Sequence, residues 1–128
     1  MLRGKTALIT GSIGGLGYAI AEAFAQQQAN IILHGLEPLE QILDASKRLQ
    51  TAYGVSVMHH QANLTNVSEI EALIDHAEKQ FGGVDILINN AGEGAFGKIM
   101  ELAPSKWKEI IDINHLGVYY VTRAILPE

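Results

Sequence analysis

The sequence predicts an α/β fold in which a parallel, doubly wound sheet carries helices on both faces. Three observations support this fold class. Strand-like apolar runs alternate with helix-like amphipathic stretches, the β-α unit recurs at roughly regular intervals, and glycines follow the second and third predicted helices. Repeated β-α units imply parallel strands joined by right-handed crossovers. We therefore expect one domain, residues 1–128, with strand order 3-2-1-4.

The individual elements follow from apolar spacing and from residues that begin or end helices. Apolar runs predict strands over 6–10, 30–34, 55–59 and 84–89. Helical spacing predicts helices over 16–28, 38–53 and 66–81, with Pro38 in the first turn of the second helix. Gly54 and Gly82 are expected to end the second and third helices. A loop over 92–97 and helices over 105–112 and 113–126 complete the prediction.

Composition and charge argue against several classes of function. Apolar residues make up 48% of the chain and charged residues 18%, which is ordinary for a globular α/β domain. A net charge of −5 argues against nucleic acid or an anionic membrane as the main partner, because these need clustered Lys and Arg. No stretch resembles a membrane span or the apolar core of a signal peptide. With no cysteine and no suitable histidine spacing, we expect a cytoplasmic protein that binds no metal.

The glycine-rich turn over 10–17 predicts a phosphate-binding loop between the first strand and the first helix. Gly11 permits a tight turn, Gly15 lets a diphosphate approach the main chain, and Gly17 lets helix and strand pack closely. The free amides at the start of the helix and the helix dipole would hold the negative charge. A tight turn without a ligand is the alternative, but the position at the start of a β-α-β series favours a bound dinucleotide.

The end of the second strand bears on which dinucleotide would bind. An acidic residue that binds the ribose is expected about 20 residues after the glycines. Glu37 stands at that distance from Gly17, although it could equally be a solvent-exposed acid at the start of the next helix. No Arg or Lys lies between Ile31 and Glu40 to meet a 2′-phosphate. The sequence therefore favours NAD over NADP as the cofactor.

A polar turn, Asn89-Asn90-Ala91-Gly92, follows the fourth strand. In a sheet of order 3-2-1-4 this exit lies beside the first strand, where a ligand crevice opens. Small residues there would let the chain pass beneath a nucleotide, and Asn side chains can cross-link neighbouring strands. An ordinary polar turn after a buried strand is the alternative.

Together these residues resemble the short-chain dehydrogenase/reductase family. The resemblance implies a Rossmann-type fold and hydride transfer between a nicotinamide cofactor and a small-molecule secondary alcohol or ketone. It runs from Lys5 to the last residue, and the separations of its motifs also match. The motifs are Thr10-Gly11-x-x-x-Gly15-x-Gly17, Asn89-Asn90-Ala91-Gly92, and Asn114 within Asp112-Ile113-Asn114.

The resemblance also implies roles for individual residues. Asn114 matches the family's catalytic asparagine, which holds a water in a proton relay. The cofactor-binding residues that it implies are Gly11, Ser12, Ile13, Gly15, Leu16 and Gly17 at the pyrophosphate, Leu36 after strand two, Asn63 and Leu64 beside the adenine, and Asn90, Ala91 and Gly92 on the cofactor floor.

Some positions depart from the family pattern. Gly35 stands where many NAD-dependent members carry Asp, and Asn63 stands where Asp is usual. Gly35-Leu36 and the opening Met-Leu-Arg-Gly-Lys are similar to the 3-hydroxybutyrate dehydrogenase branch, which makes a 3-hydroxy acid a candidate substrate. The substrate-binding Gln of that branch is replaced by Gly94.

Family chemistry also needs a Ser, and a Tyr followed four residues later by Lys, all downstream of the position of Asn114. The chain reaches Glu128 without them, so we expect a truncated, amino-terminal half of a longer enzyme that is inactive alone. The alternative is a non-catalytic nucleotide-binding or interaction module of the same fold. Because strand four would be an open edge, we also expect a homo-oligomer.

Overall fold

A four-stranded parallel sheet in the order β3-β2-β1-β4 forms the centre of the chain, as the sequence predicts. The computed structural model describes residues 1–92 and 103–126. Every strand pairing is parallel, and β1 lies between β2 and β4. The strands are β1 (Thr6–Ile9), β2 (Asn30–His34), β3 (Val57–His60) and β4 (Ile86–Ile88).

Helices cover both faces of this sheet. α4 and α5 form one continuous helical segment, joined by a π-helical turn over Asp112–Leu116. The sequence predicts two adjoining helices here, over 105–112 and 113–126, without the π turn between them. The helices are α1 (Gly15–Gln26), α2 (Leu39–Tyr53), α3 (Val67–Phe81), α4 (Pro104–Ile111) and α5 (Gly117–Ile125).

The hydrophobic core consists of two clusters, one on each face of the sheet. Ala7 and Ile9 of β1 face α1 and α2, whereas Leu8, between them, faces α3 and α5. All three side chains are fully buried. β1 is therefore covered on both faces, which explains why its sequence is continuously apolar rather than alternating.

Glycines end two helices at the predicted positions. Gly54 and Gly82 adopt left-handed φ values of 67° and 82°, and their amides donate to Gln50 and Glu78 of the preceding turn. α1 ends earlier than predicted, at Gln26 instead of residue 28, because Gln28 itself adopts φ 70°. The Gln28 side chain donates to the Tyr53 carbonyl at 3.2 Å, which ties this turn to the end of α2.

Outside the π turn, the other boundaries differ from the prediction by one or two residues. Pro38 precedes α2 with an extended ψ of 144°, so it lies just outside the helix rather than in its first turn. β4 is shorter than predicted, although hydrogen bonds from Asp85 to Thr6 and from Thr10 to Ile88 extend its ladder at both ends. Beyond Gly92, the predicted loop over 92–97 lies outside the described residues. Among the residues that the structure describes, no helix is both long and apolar enough to cross a bilayer.

Replacing the residue that caps α3 tests the account of that helix. The Asn66 side chain accepts hydrogen bonds from the amides of Ser68 and Glu69. Asn66→Ala removes this acceptor, and we expect it to lower the free energy of unfolding by about 1 kcal/mol. Asn66→Asp retains the acceptor and serves as the control. Urea denaturation measures both, and an equal loss in the two variants would contradict the capping role.

Acid should destabilise the contact between β3 and α3. Nδ1 of His60 and Nδ1 of His76 are 3.0 Å apart, so one of the two nitrogens must lack a proton. Burial, and then the neighbouring His76, lower the pKa of His60 below its ordinary value. A depressed pKa in the folded state means that the unfolded chain binds the proton more readily, so stability should fall as pH drops below about 6.5.

Urea denaturation at about pH 7.5 and about pH 5.5 measures this loss. The variant His76→Gln removes the neighbouring ring that helps to lower the pKa of His60, so its stability should depend less on pH. The account is wrong if the native chain is equally stable at both pH values.

Candidate functional site

The glycine turn after β1 is fastened to the end of β2. The Ser12 amide donates to the His34 carbonyl at 2.8 Å, and the Ser12 hydroxyl accepts from the His34 amide at 3.0 Å. The Gly11 amide donates to Nδ1 of the His34 ring at 3.0 Å. The amide and the hydroxyl of Ser12 thus both bond the main chain of β2 and hold the turn against it. That Ser12 contacts a diphosphate stays a prediction.

The same turn is fastened to the exit of β4 on its other side. The Thr10 hydroxyl accepts from the amides of Asn90 and Ala91 at 3.0 and 2.9 Å. The Asn90 side chain donates to the Gly11 carbonyl at 3.0 Å. A Cβ at Gly11 would lie 3.0 Å from the Ala91 Cα, so only glycine allows this close approach. Sequence and structure agree that the two motifs meet.

Two glycines at the start of α1 have opposite surroundings. Gly17 is buried, and a Cβ there would overlap the Gly11 carbonyl oxygen and lie 2.6 Å from Nδ2 of Asn90. A Cβ at Gly15 would meet nothing within 4 Å, and Gly15 has φ 59°. The first turn of α1 therefore packs closely on its inner side and borders open space on the other.

This open space suits an anion. The first amides of any α-helix have no acceptor within the helix, and they lie at the positive end of its dipole. The first turn of α1 contains no acidic residue. The residues present therefore fit a diphosphate group held by main-chain donors.

The carboxylate of Glu37 lies at the exit of β2, and the sequence alone does not decide between a ribose-binding and a solvent-exposed role for it. Gly35 is buried, and a Cβ there would overlap Oε1 of Glu37 and lie 2.6 Å from Cγ1 of Ile13. The Glu37 side chain therefore folds back over Gly35, beside the glycine turn, instead of projecting from the start of α2. A carboxylate thus stands close to the place where the family pattern has an Asp.

Glu37 also borders a cavity of about 420 Å³ between the turn and α2. Arg48 lies in the same cavity, but its guanidinium pairs with Asp44 at 3.0 Å and stacks over the Tyr18 ring at 4.6 Å from its centre. The cavity is lined by Ile13, Glu37, Glu40, Gln41, Asp44 and Arg48.

Two of the predicted cofactor-binding residues are apolar and exposed. The exposed fraction is 71% for Leu16 and 63% for Leu36, whereas Ile13 is only 5% exposed and belongs to the core. Leu16 follows the glycines, and Leu36 follows the end of β2.

The exit of β3 places Asn63 and Leu64 in different environments. Asn63 is exposed, and its side-chain oxygen accepts from the amide and hydroxyl of Thr65 at 2.9 and 2.6 Å. Leu64 is buried, and its carbonyl oxygen lies 3.2 Å from where a Cβ of Gly117 would stand. Asn63 therefore forms a local turn, and Leu64 packs the start of α5 against this edge.

The π-helical turn brings Asn114 to the exit of β4. A Cβ on Gly92 would lie 2.8 Å from Oδ1 of Asn114. The Asn89 side chain donates to the Thr122 hydroxyl at 3.2 Å, which holds α5 against the same exit. Asn114 and Gly92 therefore lie close together in the fold. Apolar periodicity does not reveal the π turn.

His34 contacts the glycine turn through its side chain. Its side chain is buried beneath the glycine turn, where Nδ1 accepts from Gly11 and Nε2 bonds the Ala62 carbonyl at 2.8 Å. Burial lowers the pKa of His34; the bond to Ala62 and the charge of Glu37 oppose this effect only in part. No local motif marks this residue, because both of its partners are distant in sequence.

A second cavity lies away from these residues. It is a groove of about 990 Å³ between α3 and α5, and its lining includes Ile74, Tyr119 and Arg123. Across the described residues, no group of three or more His, Asp or Glu side chains could hold a metal ion. The glycine turn, by contrast, follows β1 and is hydrogen-bonded to the ends of β2 and β4.

Parallel strands in the order β3-β2-β1-β4, with a glycine turn between β1 and α1, define a Rossmann-type doubly wound fold. Residues 5–128 match the family described as short chain dehydrogenase. The chain belongs to this family.

Curated relatives confirm the resemblance to the 3-hydroxybutyrate branch. The chain is 43% identical over 129 residues to a D-beta-hydroxybutyrate dehydrogenase of Cupriavidus necator, covering 99% of this chain and 48% of that relative. It is 37% identical over 123 residues to the enzyme of the same name from Rhizobium meliloti, covering 96% and 48%. The chain thus spans about half the length of the curated relatives it matches.

Solved structures share the fold. L-sorbose reductase from Gluconobacter frateurii, complexed with NADPH and L-sorbose, matches with a TM-score of 0.91 and 34% identity, covering 97% of this chain and 47% of that one. An alcohol dehydrogenase from the archaeon Thermococcus sibiricus, complexed with 5-hydroxy-NADP, matches with a TM-score of 0.89 and 30% identity, covering 94% and 51%.

The same substitution at two glycines tests the geometry of the turn. Gly17→Ser places a side chain against the Gly11 carbonyl and Asn90, and we expect it to lower the free energy of unfolding by about 2 kcal/mol or more. Gly14→Ser is the matched control, because a Cβ there meets nothing within 4 Å and Ser suits a helix N-cap. Urea denaturation measures both, and equal stabilities would show that the close packing at Gly17 is wrong.

Proposed function

We propose that this chain binds NAD and forms the cofactor-binding part of a short-chain oxidoreductase, with residues 1–128 as one domain. The observation that carries the proposal is the first turn of α1. Its inner side is closed by Gly11 and Asn90, and its outer side borders open space at Gly15. This arrangement leaves main-chain donors directed at one small volume, which is what a diphosphate requires.

The turn supplies the pyrophosphate half of the proposed site. The amides near Gly15, Leu16 and Gly17 lie at the start of α1. Leu16 and Leu36, both widely exposed, would be covered by the bound cofactor. Ile13 and Gly35 set the inner wall next to the adenosine, with Asn63 and Leu64 at the neighbouring strand exit.

The preference for NAD over NADP rests on Glu37. Its carboxylate lies over Gly35, at the strand end where the ribose hydroxyls of the adenosine are bound in this fold class. A carboxylate can accept hydrogen bonds from two hydroxyls but repels a 2′-phosphate. Arg48, a nearby cation, is engaged by Asp44 and Tyr18. The solved relatives named above hold NADPH and 5-hydroxy-NADP, so this preference would set the chain apart from them.

The nicotinamide half would lie at the exit of β4. Bound NAD supplies the site that accepts or donates the hydride. Asn90, Ala91 and Gly92 would form the floor, since Asn90 is fixed by Gly11 and Ala91 by Thr10. Asn114, beside Gly92, would hold a water that passes protons to solvent.

The substrate class follows from the relatives. A secondary alcohol or ketone is proposed, and a 3-hydroxy acid such as 3-hydroxybutyrate in particular, because two relatives are D-beta-hydroxybutyrate dehydrogenases. The Ser and the Tyr-x-x-x-Lys of the family are not among these 128 residues after Asn114. We therefore propose that this chain alone binds the cofactor without turnover. Two further proposals are a cytoplasmic location and assembly as a homo-oligomer.

Calorimetric titration with NAD and NADP tests the cofactor proposal. We expect saturable binding of NAD, and an affinity at least about tenfold lower for NADP because of charge repulsion at Glu37. Glu37→Gln should reduce this preference, since it removes the charge and keeps the shape. Glu71→Gln, on the exposed face of α3, is the matched control and should leave the preference unchanged.

Two results would contradict the proposal. If neither NAD nor NADP binds saturably, the proposed cofactor site is wrong, and an interaction module of the same fold is favoured. Tighter binding of NADP than of NAD would overturn the role of Glu37 alone.

A further inference from the structure

The His34 imidazole joins three strand ends beneath the glycine turn. It belongs to the last residue of β2, its Nδ1 is 3.0 Å from the Gly11 amide after β1, and its Nε2 is 2.8 Å from the Ala62 carbonyl after β3. The side chain is 3% exposed, so water cannot replace either partner. The ring therefore determines how the turn sits on the sheet.

The partners of the ring define its protonation state. The Gly11 amide can only donate, so Nδ1 must offer a lone pair. The Ala62 carbonyl can only accept, so Nε2 must carry the proton. His34 is thus the neutral Nε2–H tautomer. A second proton on Nδ1 would place two donors against each other at 3.0 Å.

We propose that neutral His34 positions the phosphate-binding turn through the Gly11 amide, so that protonation of His34 releases Gly11 and weakens binding of the dinucleotide diphosphate. The inference rests on the proposed function, and it adds a positioning residue with a proton-linked effect.

Release of Gly11 would disturb the site without unfolding it. The Gly11 carbonyl receives the Asn90 side chain, and a Cβ at Gly17 would overlap the same carbonyl. A shift of Gly11 therefore moves the inner wall of the first turn of α1. The two bonds between Ser12 and the main chain of His34 do not involve ionisable groups, and they persist.

Few charged groups face the ring. Glu37, after β2, favours the charged imidazole, whereas His60, opposite it on β3, disfavours it. His60 in turn faces His76 and Glu69 of α3, and His59 adjoins it on β3. The turn itself, residues 10–14, contains no ionisable side chain. Burial has the largest effect and lowers the pKa of His34, so its protonation should begin only below about pH 6.5.

Calorimetric titration of the chain with NAD at about pH 8 and about pH 5.5 tests the inference. The native chain should bind more weakly at the lower pH, by less than about tenfold, because the lowered pKa of His34 limits the fraction of protonated ring at about pH 5.5. In His34→Asn, Oδ1 can take the place of Nδ1 and does not titrate. We expect this variant to keep most of the affinity at about pH 8 and to lose the pH dependence.

A matched control and a second measurement complete the test. His59→Asn removes a neighbouring imidazole of β3 and should retain the pH dependence of the native chain. In the native chain without cofactor, nuclear magnetic resonance should show the Gly11 amide proton shifting with the same midpoint as the His34 ring nitrogens. Circular dichroism verifies that each protein is folded at both pH values.

The outcomes separate this inference from the proposed function. If the native chain does not bind NAD at about pH 8, the proposed function fails and the inference fails with it. If NAD binds but His34→Asn keeps the native pH dependence, only the inference is overturned. The same conclusion follows if the Gly11 amide does not follow the titration of His34.

Discussion

The close approach of Gly17 to the Gly11 carbonyl and the Asn90 side chain is the constraint on which the rest of the site depends. The first turn of α1 lies against the Gly11 carbonyl, and the same carbonyl receives the Asn90 side chain. No side chain larger than hydrogen fits between them. Because this contact holds the start of α1 against the ends of β1 and β4, the free amides of the helix face outward at a defined point.

Hydrogen bonds across the sheet edge extend this constraint to neighbouring strands. Thr10 holds the exit of β4, and Ser12 and His34 hold the end of β2. Asn89 reaches Thr122 in α5. Each bond joins residues far apart in sequence, so the edge behaves as one unit. Such an edge can present several groups to one ligand at low cost in conformational entropy.

The sheet was predictable because burial on both faces of a parallel strand demands an uninterrupted apolar run. β1 and β2 show this directly, and the strand order follows from chain connectivity in this fold class. Gly54 and Gly82 were predictable as helix ends because left-handed backbone strongly favours glycine. Gln28 is an exception to this rule, because it adopts φ 70° without being glycine. Its side chain donates to the Tyr53 carbonyl, which supports this conformation.

The candidate site was only partly predictable, and the reason is the range of its contacts. Glycine spacing revealed the turn, because backbone geometry restricts those positions locally. The two bonds of His34 reach residues that follow other strands, so they leave no local signal. Asn114 was identified through the family motif, whereas its contact with Gly92 depends on a π turn that apolar spacing does not specify.

That π turn also sets the rotational phase of the helical segment. An α-helix advances by about 100° per residue, so the one residue added by a π turn offsets everything after it by that angle. α4 buries none of its side chains, whereas Val121 of α5 is fully buried. A one-residue deletion within 112–116 would restore a regular helix, swing Val121 out of the core, and separate Asn114 from Gly92. The length of this short segment therefore determines whether Val121 faces the core.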